Sequence, residues 1–287
     1  GICNIDFCLL VIAADDGIMP QTIEHFEILR LLNIKAGYIV INKIDLVEED
    51  WLDLVTKDIK AYFKDSFFDI NNIFKISTTT NKGIDSLKTE ILKLNSSKNN
   101  KYSRGIFRMF IDRSFLKVGF GHVVTGTVSS GILKVGEKIK LLPQNEIFKV
   151  RGLQSHDLKV DLIKKGDRGA INLYSLNKTT IDRGNHLSNE NFFNLVKSAV
   201  IKVDTLTKSK NKIKNNQRIR FLLGTQEVMA RIFIIDNSNL NENNLVAIIK
   251  FEREIIASFQ DRYIIRSYSP ITTIGGGVIL DTNLYGK

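Results

Sequence analysis

The sequence predicts a mixed fold, α/β followed by all-β, in which a domain with a parallel sheet precedes two β-barrel domains. Over the first hundred residues, apolar strand-like runs alternate with segments of helical spacing, which is typical of a parallel sheet covered by helices. A polar stretch, "SSKNNKYS", follows, and the remainder consists of short β-rich runs separated by Gly-containing turns, which is typical of barrels. We therefore expect domains at 1–95, 104–190 and 191–287, with a linker at 96–103.

The first domain contains three predicted strand–helix units. Continuous apolar runs indicate buried parallel strands, and apolar residues at helical spacing indicate the helices between them. The predicted strands are 7–14, 36–42 and 73–77, and the predicted helices are 21–34, 51–65 and 83–95. Because the first strand would keep an uncovered edge, and because the chain starts at Gly1 and not at Met, we expect a fragment whose natural sequence extends upstream.

The charge of the chain is unevenly distributed. Residues 1–103 carry 12 basic and 15 acidic side chains, a net charge of −3, whereas the remainder carries +13. A positive field confined to the later two-thirds predicts a polyanionic partner, with RNA as the leading candidate. No apolar run approaches the ~18 residues that cross a membrane, so no membrane partner is expected. Cys3 and Cys8 are predicted to face opposite sides of one strand and to stay reduced, as in a cytoplasmic protein.

A guanine-binding pattern follows the second and third predicted strands. Asn42, Lys43 and Asp45 form Asn-Lys-x-Asp just past a strand end, where α/β folds bind ligands. The carboxylate can accept hydrogen bonds from the N1–H and 2-amino groups of guanine, and the aliphatic stem of Lys43 can cover the ring. Ser77 and Thr78 follow the next strand, where a backbone N–H group can reach the guanine O6. No G-x-x-x-x-G-K-[ST] phosphate loop occurs in the chain.

Two stretches carry a family resemblance. "LLVIAADDGIMPQTIEH" and "VINKIDL" resemble the second half of a translational GTPase of the elongation factor Tu class. The resemblance implies a truncated P-loop GTPase-type sheet domain followed by two β-barrels, with GTP as cofactor. It also implies that the phosphate loop, the Mg²⁺ ligands and the catalytic histidine lie upstream of Gly1. We therefore assign no catalytic and no metal-ligating residue to this chain, and His25 is predicted to be a helix-surface residue.

The later domains resemble one subfamily more closely. "RIRFLLGTQEVMARI" and "DRYIIRSYSPITTIGGGVILD" are similar to the selenocysteine-specific elongation factors, the SelB family. The resemblance implies a GTP hydrolase that delivers selenocysteyl-tRNA to the ribosome for UGA recoding. It also implies that an mRNA hairpin is bound by C-terminal winged-helix domains beyond Lys287, and we expect a monomer. Other Tu-like GTPases remain as alternatives, such as initiation factor 2 gamma or the GTPase subunit of sulfate adenylyltransferase. A tRNA-binding relative that does not hydrolyse GTP is a further one.

The resemblance to elongation factor Tu also implies where the amino acid binds. Two acidic residues line the aminoacyl pocket of that factor, and the matching positions here are Asp112 and Arg113. A selenol is more acidic than a thiol of pKa ~8.5 and is anionic at neutral pH, so a pocket selecting it should be positive. Asp112 would hold the esterified amino group, while Arg113 and Arg168, together with His122 or Arg151, would face the selenolate.

The tRNA body is expected to bind the third domain. Arg218, Arg220 and Arg231 alternate along two β runs, where relatives grip the acceptor and T stems. Such contacts are made to phosphate and sugar and carry little sequence information. The affinity should therefore fall steeply with salt.

Overall fold

The computed structural model describes residues 5–96, 105–117, 121–174, 179–189, 192–206, 213–236 and 244–283. The chain divides into two compact units, one holding residues 5–101 and the other holding both β domains. Cys3 and nearly all of the predicted linker at 96–103 lie outside the described residues. The exact domain boundaries given above, 1–95, 104–190 and 191–287, therefore remain predictions. No helix in the described segments is long and apolar enough to cross a membrane.

The first unit is a three-stranded parallel sheet with helices on both faces. Its elements are β1 (Cys8–Ala13), α1 (Pro20–Leu31), β2 (Gly37–Asn42), α2 (Glu49–Phe63), β3 (Phe74–Lys75) and α3 (Ile84–Ser96). The predicted order of elements is confirmed, with the strands arranged β1-β2-β3. The third strand is much shorter than predicted, because Ser77 already belongs to a turn in which its N–H donates to the Lys82 carbonyl.

Alternation along β1 decides where the core of this unit lies. Leu10 and Ile12 are buried and pack with Val55 and Ile59 of α2, which places α1 and α2 on one face. The opposite face carries a smaller cluster in which Leu87 of α3 takes part. Among the described residues, β1 pairs with β2 only, which agrees with the predicted uncovered edge.

The first β domain is a barrel. Its strands are β4 (Arg108–Lys117), β5 (Gly121–Ser130), β6 (Ile132–Lys134), β7 (Lys138–Leu142), β8 (Glu146–Ser155), β9 (Leu158–Val160), β10 (Leu162–Lys164), β11 (Arg168–Tyr174) and β12 (His186–Ser188). The order β11-β5-β4-β12-β7-β8 is closed into a ring by pairing of β11 with β8. Every second residue of a strand points inward, so Met109 and Ile111 of β4 enter the core together with Phe148 of β8.

The second β domain is a closed barrel of six strands. They are β13 (Leu195–Thr205), β14 (Gln217–Leu223), β15 (Gln226–Asp236), β16 (Asn244–Ile256), β17 (Arg262–Ser267) and β18 (Thr273–Asp281), in the order β13-β16-β15-β14-β17-β18. The glycine run of β18 allows close packing: a Cβ added to Gly277 would lie 1.9 Å from the Lys202 carbonyl oxygen. A residue with a side chain is therefore excluded there by the neighbouring backbone.

The two barrels contact each other through a hairpin of the second. Gly224 has φ +58°, and a Cβ added there would lie 2.1 Å from Cδ1 of Phe110, so the Phe110 ring packs directly on the glycine. The neighbouring Thr225 donates its hydroxyl to the Ile111 carbonyl at 2.7 Å. Gln226 donates its side-chain amide to the Gly184 carbonyl, also at 2.7 Å. This contact joins the barrels by packing and by directional hydrogen bonds.

Candidate functional site

The candidate nucleotide site lies at the carboxyl edge of the parallel sheet. The loops after β1, β2 and β3 meet there because parallel strands end on the same side. Ala14, which follows β1, donates its N–H to the Asn42 carbonyl at 2.8 Å and accepts the Trp51 indole N–H at 2.9 Å. Ile44 donates its N–H to the Ile76 carbonyl at 3.3 Å. Backbone bonds thus hold all three loops at one edge.

Asn42 connects the second and third loops. Its side-chain Oδ1 accepts the backbone N–H of Thr78 at 3.2 Å. Ser77 is fully buried, and its hydroxyl accepts the Thr80 N–H at 3.0 Å. The N–H groups of Ser77 and Thr78 therefore already have acceptors within the protein. These two residues thus help to build the loop, and the contact of a backbone N–H group with guanine O6 stays a prediction.

Lys43 and Asp45 present the charges of this edge. Lys43 adopts a left-handed backbone (φ 62°), and its ammonium lies 3.0 Å from Asp15 of the first loop. The hydrogen bond between them raises the pKa of Lys43 and lowers that of Asp15, and their mutual charge attraction acts in the same direction. Asp45 lies in a 3-10 turn at Ile44–Leu46, exposed, with no hydrogen bond or ion pair to any described residue. Its carboxylate is thus available to a ligand.

The described residues contain no group of three or more His, Cys, Asp and Glu side chains able to hold a metal ion. The edge therefore offers base-recognising groups: an exposed carboxylate, an oriented asparagine and a lysine stem. It can recognise a ring with two adjacent donors, because Asp45 has two acceptor oxygens.

A second candidate site lies on the outer surface of the first barrel. Asp112 sits in a bulge of β4, where the register with β5 shifts between Ile111 and Arg113. The bulge turns the carboxylate toward β5 and β11, where it accepts the Thr125 hydroxyl at 2.6 Å and pairs with the Arg168 guanidinium at 2.6 Å. Partial burial opposes ionisation of Asp112, but the hydrogen bonds from Thr125 and Arg168 and the nearby positive charges outweigh it. The pKa is therefore lowered.

The other three predicted pocket residues lie on neighbouring strands. Arg113 is exposed on β4 opposite Thr125. His122 is half-buried on β5, opposite Leu173 of β11. Arg151 lies on β8 with its guanidinium 3.9 Å from the centre of the Tyr174 ring.

The structure brings Asp112 and Arg168 into contact, and their binding to separate parts of a ligand stays a prediction. Sequence reasoning also missed Thr125 and Tyr174. Neither carries a motif, and only the strand register places Thr125 beside Asp112.

The three arginines predicted to bind RNA lie on the second barrel. Arg218 forms a two-pronged pair with Glu252, at 2.7 and 2.8 Å, and Arg220 lies 2.7 Å from Glu227. Arg231 is exposed and donates to the Asn216 carbonyl at 3.3 Å. All three lie on the outer surface of this barrel, and their contact with RNA stays a prediction.

Comparison with known proteins agrees with this architecture. The profile of the elongation factor Tu GTP binding domain matches residues 1–97, elongation factor Tu domain 2 matches 121–188, and the selenocysteine-specific elongation factor β-barrel domain matches 200–284. The selenocysteine-specific elongation factors of Desulfomicrobium baculatum and Escherichia coli K12 are 39% and 29% identical over 98% and 99% of this chain. The chain spans 44% of the length of each relative.

The solved structure of translation elongation factor SelB from Methanococcus maripaludis, in its apo form, superposes with a TM-score of 0.85 at 27% identity. The match covers 97% of this chain and 65% of that one. A GTPase-type sheet that matches the GTP binding domain of elongation factor Tu, followed by two barrels, is the architecture of a translational GTPase of that class. Within that class the chain is similar over nearly its whole length to selenocysteine-specific elongation factors, and its last barrel matches the β-barrel domain of that family.

Proposed function

We propose that this chain forms part of a GTP-dependent factor that binds selenocysteyl-tRNA and delivers it to the ribosome for UGA recoding. Its proposed partners are that tRNA, the ribosome and the mRNA hairpin that marks the recoded codon, and we expect a cytoplasmic monomer. GTP is the proposed cofactor, together with Mg²⁺. The single observation that carries the proposal is the exposed ion pair between Arg168 and Asp112.

The Arg168–Asp112 pair suggests how selenocysteine is selected. The esterified amino acid carries an amino group, which is positive when protonated, and a negative selenolate. It can replace one internal ion pair by two intermolecular ones: amino group to Asp112 and selenolate to Arg168. Serine carries no negative charge, so its binding would separate Arg168 from Asp112 without giving the guanidinium a new anion.

Arg113, His122 and Arg151 would surround the selenolate with further positive or donor groups. Arg113 already contributes to the low pKa of Asp112 through its charge, which puts it within electrostatic range of the pair. Tyr174 orients the Arg151 guanidinium by stacking at 3.9 Å. A thiol of pKa ~8.5 is mostly neutral at pH 7, so cysteine should be bound less well than selenocysteine by the same groups.

The test compares selenocysteyl- and seryl-esters of one tRNA, measured by protection of the ester against hydrolysis. In the Arg168→Ala variant we expect the preference for selenocysteine to fall by roughly tenfold or more, because a charge-assisted hydrogen bond is lost. Lys159→Ala removes one exposed cation elsewhere on the same barrel and should leave the preference unchanged. An unaltered preference in Arg168→Ala would show that the pocket is elsewhere.

The nucleotide half of the proposal rests on Asp45. Asn has one acceptor and one donor where Asp has two acceptors, so Asp45→Asn should weaken guanine binding and favour xanthine, which has an oxygen at position 2. We expect a change in the ratio of xanthine to guanine nucleotide affinity of roughly a hundredfold, from two altered hydrogen bonds. Competition between labelled nucleotides measures this ratio. If Asp45→Asn preferred guanine over xanthine as strongly as the parent protein does, the base would not bind at Asp45.

A further inference from the structure

The hairpin by which the second barrel contacts the first also touches the segment of β4 that carries Asp112. A turn of two residues, Gly224 and Thr225, connects β14 to β15 in this hairpin. The Thr225 hydroxyl donates to the backbone carbonyl of Ile111 at 2.7 Å, and Ile111 immediately precedes Asp112 in the chain. One peptide group therefore links the second barrel to the carboxylate that pairs with Arg168 on the first.

The backbone of Ile111 is hydrogen-bonded from both barrels. Its N–H donates to the Asn185 carbonyl at 2.9 Å, and its carbonyl also accepts the Gly184 N–H at 3.0 Å. A carbonyl oxygen has two lone pairs, so the Ile111 oxygen has one donor from each barrel. The hairpin also holds the source of the second donor, because the Gln226 side-chain amide donates to the Gly184 carbonyl at 2.7 Å.

The bulge in β4 makes the position of Asp112 dependent on this peptide group. On one side of β4, Ile111 and Arg113 pair with successive residues of β5, so Asp112 has no residue opposite it. On the other side, the pairing of β4 with β12 ends at Phe110. A bulged residue lacks the regular ladder of hydrogen bonds that orients its neighbours. The direction of the Asp112 side chain therefore depends on the groups that hold Ile111.

The contacts of the Asp112 carboxylate are short and sensitive to displacement. It accepts the Thr125 hydroxyl and pairs with the Arg168 guanidinium, both at 2.6 Å. A displacement of about 1 Å would lengthen them to roughly 3.6 Å, where no hydrogen bond is made. Packing of the Phe110 ring on the hairpin prevents β4 from moving toward it, and the Thr225 hydroxyl opposes movement away from it. The hairpin thus restrains β4 in both directions.

We propose that Thr225 is a positioning residue for amino-acid binding: by holding the Ile111 carbonyl, it directs the Asp112 carboxylate toward the amino group of the esterified amino acid. Thr225 acts through the Ile111 peptide group and not by contact with the ligand. The inference rests on the proposed function and deepens it, because it gives a residue of the second barrel a part in the amino-acid recognition of the first.

The test measures recognition of the amino group. Selenocysteyl-tRNA with a free amino group is compared with its N-acetylated form, which has no positive charge, by protection of the ester against hydrolysis as protein is titrated. Thr225→Val keeps the shape of the side chain but has no hydroxyl. In this variant we expect the ratio of the two affinities to fall roughly fivefold, as for the loss of one hydrogen bond. Thr225→Ser keeps the hydroxyl and should stay within about twofold of the parent.

Tyr263→Phe is the matched control. The Tyr263 hydroxyl donates to the Lys202 carbonyl at 2.8 Å within the second barrel, so this variant also loses one hydrogen bond from a hydroxyl to a backbone carbonyl. It should leave the ratio of the two affinities unchanged. If Tyr263→Phe loses stability in urea and keeps the ratio, a fall of the ratio in Thr225→Val cannot be ascribed to weaker folding.

The pKa of the Asp112 carboxyl gives a second readout that needs no tRNA. Although partial burial opposes ionisation, the hydrogen bonds from Thr125 and Arg168 hold this pKa below its usual value. If the bulge loosens in Thr225→Val, these bonds lengthen and the pKa should rise, whereas Tyr263→Phe should keep the value of the parent. An NMR titration of the carboxyl carbon measures it.

The inference and the proposed function fail in different ways. If Thr225→Val kept both the ratio and the Asp112 pKa of the parent, or if Tyr263→Phe lowered the ratio as much, the inference would be overturned and the proposed function would stand. If the parent did not prefer selenocysteyl- over seryl-tRNA, but Thr225→Val still lowered the ratio, the proposed function would fail and Thr225 would keep its positioning role.

Discussion

The compact unit that holds both barrels contains two arginine–aspartate pairs, one of which is buried and the other exposed. The Arg108–Asp261 pair joins the two barrels, with side chains 5% and 15% exposed and two parallel hydrogen bonds of 2.7 and 2.9 Å. The Arg168–Asp112 pair lies on the first barrel, with side chains 57% and 22% exposed and a single hydrogen bond of 2.6 Å. Distance does not distinguish them, whereas access to water does.

The buried pair is enclosed by aromatic groups. The Arg108 guanidinium lies 4.5 Å from the ring centres of both Phe110 and Phe193, and its Nε donates to Nδ1 of the buried His186 at 3.4 Å. Asp261 also accepts the Ser258 N–H at 2.9 Å. Three of the five N–H donors of Arg108 and both carboxylate oxygens of Asp261 are used inside the protein, and the pair is buried, so it serves to hold the barrels together.

The exposed pair has that capacity. Arg168 donates one of its five N–H groups to Asp112, and more than half of its side chain is exposed to solvent. In water such a pair contributes little to stability, so it can be exchanged for ligand contacts at small cost. Burial, and not the residue types, separates the structural pair from the candidate binding pair.

The largest expected effect is on the buried pair. Asp261→Ala leaves the Arg108 guanidinium buried without its anion, and we expect the free energy of unfolding to fall by about 3–5 kcal/mol. Urea denaturation of the purified protein measures it. The double variant Arg108→Met with Asp261→Leu removes both charges and should recover most of this loss. If Asp261→Ala lowered stability by no more than a surface variant does, the barrels would not depend on this pair.

A smaller effect concerns pH. Burial, helped by the charge of Arg108, lowers the pKa of His186 well below its usual value. The imidazole is therefore neutral in the folded protein and takes up a proton on unfolding. The contribution of the neutral His186 to the free energy of unfolding is fully present above the unfolded pKa of ~6.5. Below that pH the contribution is lost, by at most about 1.4 kcal/mol per pH unit.

Denaturant midpoints measured between pH 7 and pH 5 check this slope. His186→Gln should be less stable at neutral pH but should lose less on acidification, since it has no proton to bind. The same acid slope in both proteins would mean that other groups cause it.

The smallest effect is expected at the exposed pair. Arg168→Ala should change the free energy of unfolding by no more than about 1 kcal/mol, because solvent screens the pair. Urea denaturation of Arg168→Ala and Asp261→Ala under the same conditions measures both losses in the free energy of unfolding, so that the two can be compared directly. A loss at Arg168 as large as at Asp261 would make it a structural residue and weaken its assignment to a binding pocket.

The fold was predictable from local patterns to a large extent. Apolar runs of strand length and helical spacing predicted the order of the elements in the sheet unit, and the turns predicted two barrels. The length of β3 was not predictable, because Ile73, Phe74 and Ile76 have the apolar character of a longer strand and only the Ser77–Lys82 hydrogen bond ends it early. Asn42, Lys43 and Asp45 were predictable as a group because they are adjacent in sequence and end a strand.

The sequence by itself determined the class of each domain, the Asn-Lys-x-Asp motif at the end of a strand and the basic character of the later two-thirds, since each depends on neighbouring residues or on composition. Only the tertiary structure decided which charges meet. Arg168 and Asp112 are 56 residues apart, and Arg108 and Asp261 are 153 apart. Such pairs depend on strand register, bulges and the contact between barrels. A one-residue shift of a strand would turn every side chain to the other face.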